Sequence, residues 1–187
     1  RAPLVIRNNA LGYRMTLLRL QFQSQDNAWG WQSPLLYEDL PTASSRRVRR
    51  ARRRAYQGSM RHFITALIHG ETREEGFLVH PVKRPGNRTR MRPLGDEALS
   101  NLVTVDSTSS SWSIVSALPL QVTYKREKDP RAGHRGDDQI SWIVINNVSV
   151  RVDAQGRPLE ARPITRFGYW DWERTADLLP SDYQPED

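Results

Sequence analysis

The clearest hydrophobic pattern in the chain is an amphipathic helix over residues 60–69. Its apolar residues, which recur three and four positions apart, are Met60, Phe63, Ile64, Leu67 and Ile68. Ser59 stands where a side chain can accept a hydrogen bond from a free N–H group of the first turn. Gly70 follows the last apolar residue and can adopt the left-handed conformation that ends a helix. The pattern therefore predicts a helix with one face buried in a core.

A second helical pattern, over residues 46–55, is almost entirely basic. Val48, Ala51 and Ala55 form a narrow apolar stripe, and seven arginines lie between positions 46 and 54 with no acid among them. Because the net charge of the chain is +7, these seven arginines equal its whole excess of positive charge. Three interpretations stay open: a solvated helix face, a docking surface for an anionic partner, and a disordered basic tract. The residues expected to bind are Arg46, Arg47, Arg49, Arg50, Arg53 and Arg54.

Alternation of apolar and polar residues predicts β-strands on both sides of these helices. Strands are expected at residues 4–6, 11–23, 35–40, 76–80, 99–105, 118–125, 139–145 and 148–152. In the longest strand the apolar parity switches between Leu17 and Leu18, which indicates a bulge or a strand buried on both faces. Asn146 and Asn147 offer a tight turn between the last two strands. These two strands are therefore expected to form an antiparallel meander.

The remaining segments are assigned to loops and to one closing helix. Trp29 and Trp31 are placed in a loop or hairpin, as packing residues or as a stacking platform for sugars or bases. Residues 83–93 are basic and contain Pro and Gly, so they are expected to form a loop. Residues 125–138 are expected to be an exposed hairpin tip, and residues 171–179 a helix that Pro180 ends.

Together these elements predict an α+β domain. We expect a mostly antiparallel β-sheet of about six or seven strands with two or three helices packed on one face. At 187 residues, with six Trp, six Tyr and four Phe, residues 1–187 are expected to form a single α+β domain with a sizeable core. No apolar run approaches 18 residues, so no transmembrane segment is expected. The absence of cysteine excludes disulfides and thiolate metal sites.

The residue pattern offers no recognisable catalytic group. Ser59 and His62 invite a nucleophile–base interpretation, which we reject because Ser59 is assigned to a helix cap and no acid is placed to orient His62. The four histidines fit no zinc spacing, so neither a metal nor another cofactor is expected. A glycosidase pair can be assembled from distant carboxylates, so a hydrolase stays an alternative. A nucleic-acid-binding domain is the other alternative, supported by the arginines alone.

Five short segments resemble one family of bacterial proteins. They are residues 3–13 (PLVIRNNALGY), 55–63 (AYQGSMRHF), 75–77 (EGF), 168–170 (GYW) and 178–185 (LLPSDYQP). In this order they resemble the carboxypeptidase-like regulatory domain-containing proteins of Bacteroidetes and related bacteria. The resemblance spans nearly the whole chain, with a looser match in the middle. It is to the module that follows the immunoglobulin-like regulatory domain of these proteins.

The resemblance implies a structural role for the matching residues and an exported location. The chain is then expected to be a module of a longer exported protein, in the periplasm, on the outer membrane surface or outside the cell. Its expected function is non-enzymatic binding or scaffolding in the cell envelope, where the arginines contact a protein or an anionic polymer. An exported location makes nucleic acid an unlikely partner. The family-motif residues are Asn8, Leu11, Gly12, Tyr13, Tyr56, Gly58, Ser59, His62, Phe63, Gly76, Phe77, Gly168, Tyr169 and Trp170.

Overall fold

The structure is a computed structural model. It describes residues 3–18, 21–25, 28–32, 34–89, 92–131, 133–160, 163–172 and 177–185, with the backbone alone for 21–25 and 28–32. The contacts among the residues divide the chain into two compact units. The first unit is Arg1–Ala55 with Thr175–Asp187, and the second is Tyr56–Arg174. That the two units behave as a single domain stays a prediction.

The first unit is built on a three-stranded antiparallel sheet in the order β1-β2-β5. Its strands are β1 (Leu4–Asn8), β2 (Tyr13–Leu17) and β5 (Leu35–Asp39). The inner face of β2 carries Tyr13, Met15 and Leu17, which are all buried. Leu178 and Leu179, near the end of the chain, pack against this face.

The strand expected at residues 11–23 divides between two separate ladders. Strands β3 (Gln21–Gln25) and β4 (Ala28–Gln32) pair only with each other, as a two-stranded hairpin. Leu17 pairs with Leu35, whereas Gln21 pairs with Gln32. Three residues therefore separate Leu17 from Gln21, whereas two separate Gln32 from Leu35. Residues 19 and 20 lie outside the described residues, so the bulge that the parity switch predicts stays a prediction.

Two helices follow the first sheet, and both occur where the sequence predicts them. Helix α1 is Arg46–Tyr56, so the basic tract is helical. Helix α2 is Met60–His69, and Ser59 Oγ accepts a hydrogen bond from the N–H of His62, as expected of a cap. Gly70 ends α2 in the left-handed conformation, with φ of 77°.

The second unit contains two further antiparallel sheets. One has four strands in the order β12-β10-β9-β6, and the other has three in the order β11-β8-β7. Strands of the larger sheet are β6 (Phe77–Pro81), β9 (Leu120–Lys128), β10 (Asp138–Ile145) and β12 (Ile164–Gly168). Strands of the smaller sheet are β7 (Val103–Asp106), β8 (Ser111–Val115) and β11 (Ser149–Val152). The buried face of α2 belongs to one core cluster with residues of both sheets.

Two predictions for the region between β6 and β9 are wrong. Residues 96–100 form the short helix α3 (Asp96–Ser100), so Leu99 is helical rather than the start of a strand. The sequence prediction also missed β8, because its serines at 111 and 113 hide the apolar alternation. Whether serine-containing residues form a strand and where a single helical turn forms are decided by tertiary contacts that local propensity does not report.

The meander predicted around Asn146 and Asn147 is also wrong. Strand β10 pairs with β9 and β12, while β11 leaves this sheet and pairs with β8. The turn ends at Val148, whose N–H donates to the carbonyl oxygen of Ile145 at 3.2 Å. Val148 has φ of 63°, an unfavourable conformation for a β-branched residue. The tight turn therefore directs the chain into the second sheet instead of closing a hairpin.

The closing helix begins earlier than expected. Helix α4 is Tyr169–Trp172, and residues 173–176 of the predicted helix lie outside the described residues. Leu178 and Leu179 are not helical. The hairpin joining β9 to β10 exists, but its tip is not simply exposed, because Asp129 is buried.

The α+β class and the mostly antiparallel pairing are confirmed. The described residues form ten strands in three sheets, the separate β3–β4 hairpin and four helices, more than the sequence predicted. Within the described ranges, no helix has both the length and the apolar character needed to cross a membrane.

Candidate functional site

Helix α1 is held by its first turn and by one buried side chain. Ser45 Oγ accepts a hydrogen bond from the N–H of Val48 at 3.3 Å and thereby caps the first turn. Val48 is fully buried beside Gly12, and Gly12 lies in the turn between β1 and β2. A Cβ atom on Gly12 would lie 2.8 Å from Val48 Cγ1, so the turn approaches the helix as closely as a glycine allows.

Arg52 is a structural residue of α1. Its Nε donates to the carbonyl oxygen of Leu11 at 2.8 Å, and its Nη2 donates to the carbonyl oxygen of Gly12 at 3.3 Å and to Asp39 Oδ1 at 2.6 Å. The guanidinium carbon lies 3.7 Å from the centre of the Tyr13 ring, a cation–π contact. Only 12% of the side chain is exposed. These contacts fix the rotation of α1 about its own axis.

The other six arginines of α1 are exposed. With 3.6 residues per turn, they cover roughly half of the helix circumference, on the side opposite Val48, Ala51 and Arg52. No acid occurs anywhere in the helix. We call this surface the exposed arginine face; it consists of Arg46, Arg47, Arg49, Arg50, Arg53 and Arg54. The position of Arg52, four residues after Val48, is the sequence signal that separates it from the other six.

Substitution of Arg52 and of Arg50 should have opposite consequences. We expect Arg52→Gln to lower the free energy of unfolding by about 2–3 kcal/mol, because two carbonyl groups lose a charged donor and Tyr13 loses its cation. Arg50→Gln removes a charge from a repulsive helix face and should leave stability unchanged or raise it by a few tenths of a kcal/mol. Urea unfolding followed by tryptophan fluorescence measures both. Equal losses in the two variants would contradict the anchoring role of Arg52.

A second cluster is centred on the backbone of Gly58. Its N–H donates to His62 Nδ1 at 3.1 Å, and its carbonyl oxygen accepts from Trp170 Nε1 at 2.7 Å. Gly58 has φ of 75°, and a Cβ atom there would lie 2.7 Å from Tyr124 Cδ1 and 2.9 Å from Gln139 Oε1. Only glycine fits this position. We call this arrangement the Gly58 cluster.

Five aromatic rings of the second unit pack against one another, four from motif residues and one from Tyr124. Phe63 lies with its ring 5.4 Å from Phe77 and 5.6 Å from Trp170, measured between ring centres. Phe77 is in turn 4.8 Å from Tyr124 and 4.9 Å from His62. Motif segments that are far apart in the sequence therefore meet in one aromatic core of the second unit.

His62 has an acidic partner, contrary to the expectation from the sequence. Its Nε2 lies 3.0 Å from Glu75 Oε2, and Arg126 Nη1 lies 3.4 Å from the same oxygen. Since Nδ1 accepts from the N–H of Gly58, the proton of the neutral ring is on Nε2 and is donated to Glu75. The prediction failed because Glu75 lies 13 residues beyond His62 and reaches it only through the turn after α2.

The arrangement nevertheless does not make His62 a base for Ser59. Both ring nitrogens of His62 are engaged, one with Gly58 and one with Glu75. Ser59 Oγ accepts from the backbone N–H of His62 at 3.2 Å, as a helix cap does. The geometry therefore orients His62 as a structural link between the turn, α2 and Glu75 rather than toward the Ser59 hydroxyl.

His62 should make the stability of the protein depend on pH. Burial lowers the pKa of His62 below its usual value of 6.5, and Glu75 opposes this only in part. The unfolded chain then binds more protons than the folded one just below pH 6.5, so stability is full above that pH and falls as pH drops. Urea unfolding between pH 8 and 5 measures this loss, which His62→Gln should reduce. Constant or rising stability over this range would contradict the buried, neutral state of His62.

Two further motif residues of the second unit, Gly168 and Tyr169, contact an ion pair that sequence reasoning missed. Asp129 is only 2% exposed, and its carboxylate accepts hydrogen bonds from the Arg131 guanidinium, including one from Nε at 2.8 Å. Arg131 Nη1 also donates to the carbonyl oxygen of Gly168 at 3.4 Å, and its guanidinium lies 5.7 Å from the centre of the Tyr169 ring. Gly76 precedes β6, beside the side chain of Arg126.

The motif residues of the first unit form a tight turn. Asn8 is buried, and its Oδ1 accepts from the N–H of Leu11 at 3.0 Å. Leu11 and Tyr13 are buried in the core of this unit. Burial raises the pKa of Tyr13 to about 12, so the ring beneath Arg52 stays neutral.

Trp29 and Trp31 lie on β4, in a hairpin as predicted. Trp31 pairs with Phe22 and Trp29 with Ser24 along the backbone. Their side chains are outside the described residues, so a stacking platform at this hairpin stays a prediction.

An open groove of the first unit was not predicted. It has a volume of about 590 Å³ and is lined by Leu35 and Tyr37 of β5 and by residues 178–182. The lining residues include the polar residues Ser181 and Asp182. The groove marks where the end of the chain packs on the first sheet.

The described ranges hold no group of three or more His, Asp or Glu side chains placed to bind a metal ion.

Comparison of the chain with protein-family models, curated proteins and solved structures found no match. Membership of the family that the motifs resemble stays a prediction.

Proposed function

We propose that the chain is a non-enzymatic binding or scaffolding module of the bacterial cell envelope, of the carboxypeptidase-like regulatory type. It docks a protein or an anionic polymer through the exposed arginine face. The envelope location and the family rest on the motif resemblance alone.

The observation that carries the proposal is that different residues of α1 anchor the helix and face the solvent. Val48 and Arg52 hold the helix against the first sheet, while six arginines remain on the outer half of the same helix. Like charges on one helix face repel one another and cost stability, and an anionic partner relieves this repulsion. A fixed cationic surface also raises the association rate of anionic partners over distances of about 10 Å.

The Gly58 cluster supports a non-enzymatic role. The residues that most resemble a catalytic group, Ser59 and His62, are each engaged in contacts that hold the start of α2. A general base needs a free ring nitrogen within reach of the nucleophile, and neither nitrogen of His62 is in that position. These contacts support a structural role for Ser59 and His62, which are both residues of the family motif.

Capture from envelope extract tests the proposal, with two variants of equal charge. The row variant replaces Arg46, Arg50 and Arg54 of the exposed arginine face by glutamine. The loop variant replaces Lys83, Arg84 and Arg135, which are exposed residues of the second unit. We expect the native chain and the loop variant to retain one partner that the row variant loses.

The captured material is identified as protein by mass spectrometry or as polymer by phosphate and sugar analysis. Equal retention by all three chains would overturn docking through α1. Equal loss in both variants would assign binding to overall charge rather than to the exposed arginine face. Nucleic acid as the specifically retained material would favour the nucleic-acid-binding alternative.

A further inference from the structure

The exposed arginine face lacks the features of a protein interface. The interfaces of stable protein complexes have an apolar or aromatic centre that is depleted of charge. In α1 the apolar residues point inward: Val48 is fully buried, and Ala51 and Ala55 are half-buried. The outer half of the helix carries arginine at six positions and offers no apolar side chain for a partner to cover. This composition favours a partner that is held by charge alone.

The arginines form rows along the helix. Arg46, Arg50 and Arg54 follow one another at intervals of four residues, and Arg49 and Arg53 form a second row beside them. Residues four apart are about 6 Å apart along the axis, so one row spans about 12 Å. An extended polymer with repeated negative charges can contact several members of a row, or follow the groove between two rows. A single small anion would neutralise only one or two of them.

The density of the arginines narrows the class of polymer further. Guanidinium groups donate two parallel hydrogen bonds to phosphate and carboxylate oxygens alike. A phosphate polymer carries a charge on every backbone unit, which matches six cations on a helix of eleven residues better than sparsely charged chains do. The one aromatic residue of α1, Tyr56, is half-buried and lies 5.2 Å from the guanidinium of Arg61 and 5.1 Å from His62. It is therefore not an open platform for stacking bases.

We infer that the exposed arginine face binds a linear phosphate polymer without bases, along the axis of α1. The inference rests on the proposed function and names the ligand class of the same surface. Binding neutralises the repulsion among the arginines and releases counterions from the polymer, so affinity depends steeply on salt.

Fluorescence anisotropy with labelled inorganic polyphosphate of about 15 units measures this dependence. With six phosphates neutralised, log affinity should fall with log salt at a slope of about −4, or about 300-fold between 50 and 200 mM salt. The row variant keeps three of the six arginines, so its slope should be about −2 and its loss about 20-fold over the same range. The loop variant should match the native chain.

Two competitor polymers test the phosphate chemistry and the absence of bases. Polyglutamate and single-stranded DNA of equal charge number should each bind more weakly than polyphosphate to the native chain. Equal or tighter binding of either polymer would overturn the inferred ligand class. A salt slope that is the same in the native chain and the row variant would overturn its location on α1.

The outcome separates this inference from the proposed function. If polyphosphate fails to bind but the row variant still loses an envelope protein that the loop variant retains, the polymer inference is wrong and the docking module stands. If neither polyphosphate binding nor envelope capture depends on the row, both proposals are wrong.

Discussion

Replacing Gly58 by alanine is expected to lower the free energy of unfolding by about 2–5 kcal/mol. The positive φ of 75° costs an alanine about 1–2 kcal/mol, and the new methyl group would lie 2.7 Å from Tyr124 Cδ1 in a filled core. The backbone must shift to relieve this contact, which disturbs the hydrogen bonds of Gly58 to His62 and Trp170. Chemical unfolding followed by tryptophan fluorescence measures the loss.

Gly70→Ala is the matched control. Gly70 has nearly the same φ, 77°, but no atom lies within 4 Å of a Cβ built there. Its substitution should therefore cost only the backbone term of about 1–2 kcal/mol. Equal effects at Gly58 and Gly70 would show that the packing around Gly58 contributes nothing to stability, and the Gly58 cluster would lose its structural role.

Replacing Phe63 by alanine is expected to cost about 3–5 kcal/mol. The Phe63 side chain is fully buried, and its ring contacts those of Phe77 and Trp170. Removal leaves a cavity between α2 and β6 that the surrounding rings cannot fill without leaving their own positions. Phe63→Leu retains most of the volume and should cost less than about 1.5 kcal/mol. Wild-type melting behaviour of Phe63→Ala would contradict the assignment of α2 as a core helix.

The local parts of this fold could be predicted because their signals are local. Helix α2 carries its cap, its apolar period and its terminating glycine within residues 59–70, and the structure places all three as expected. Helix α1 was predicted from a stripe of three residues, and the stripe does face inward. Strand β5 and the strand after α2 also occur where alternation and flanking prolines place them, within one or two residues.

The parts that failed depend on partners distant in the sequence. Strand β11 has the turn and the alternation of a hairpin strand, yet it pairs with β8, which the serines at 111 and 113 concealed. Glu75 reaches His62 across a turn, and Trp170 reaches Gly58 across 112 residues. Nothing in residues 58–62 alone specifies these contacts. Such pairings are decided by which surfaces the whole chain can bury together.

The residues that stabilise the two cores are thus different from the residues that we propose for binding. Most motif residues of the second unit converge on the Gly58 cluster, and those of the first unit form the turn that holds Val48 and Arg52. The six remaining arginines of α1 have no place in either core. Their exposure on a fixed helix is the basis of the docking proposal.

Nitrogen-15 NMR of the arginine Nε–Hε groups during a polyphosphate titration tests this claim most directly. The account predicts shifts at Arg46, Arg47, Arg49, Arg50, Arg53 and Arg54, with Arg52 unchanged because its Nε donates to the carbonyl oxygen of Leu11. Shifts confined to arginines of the second unit, such as Arg88 or Arg126, would contradict it and place binding away from α1.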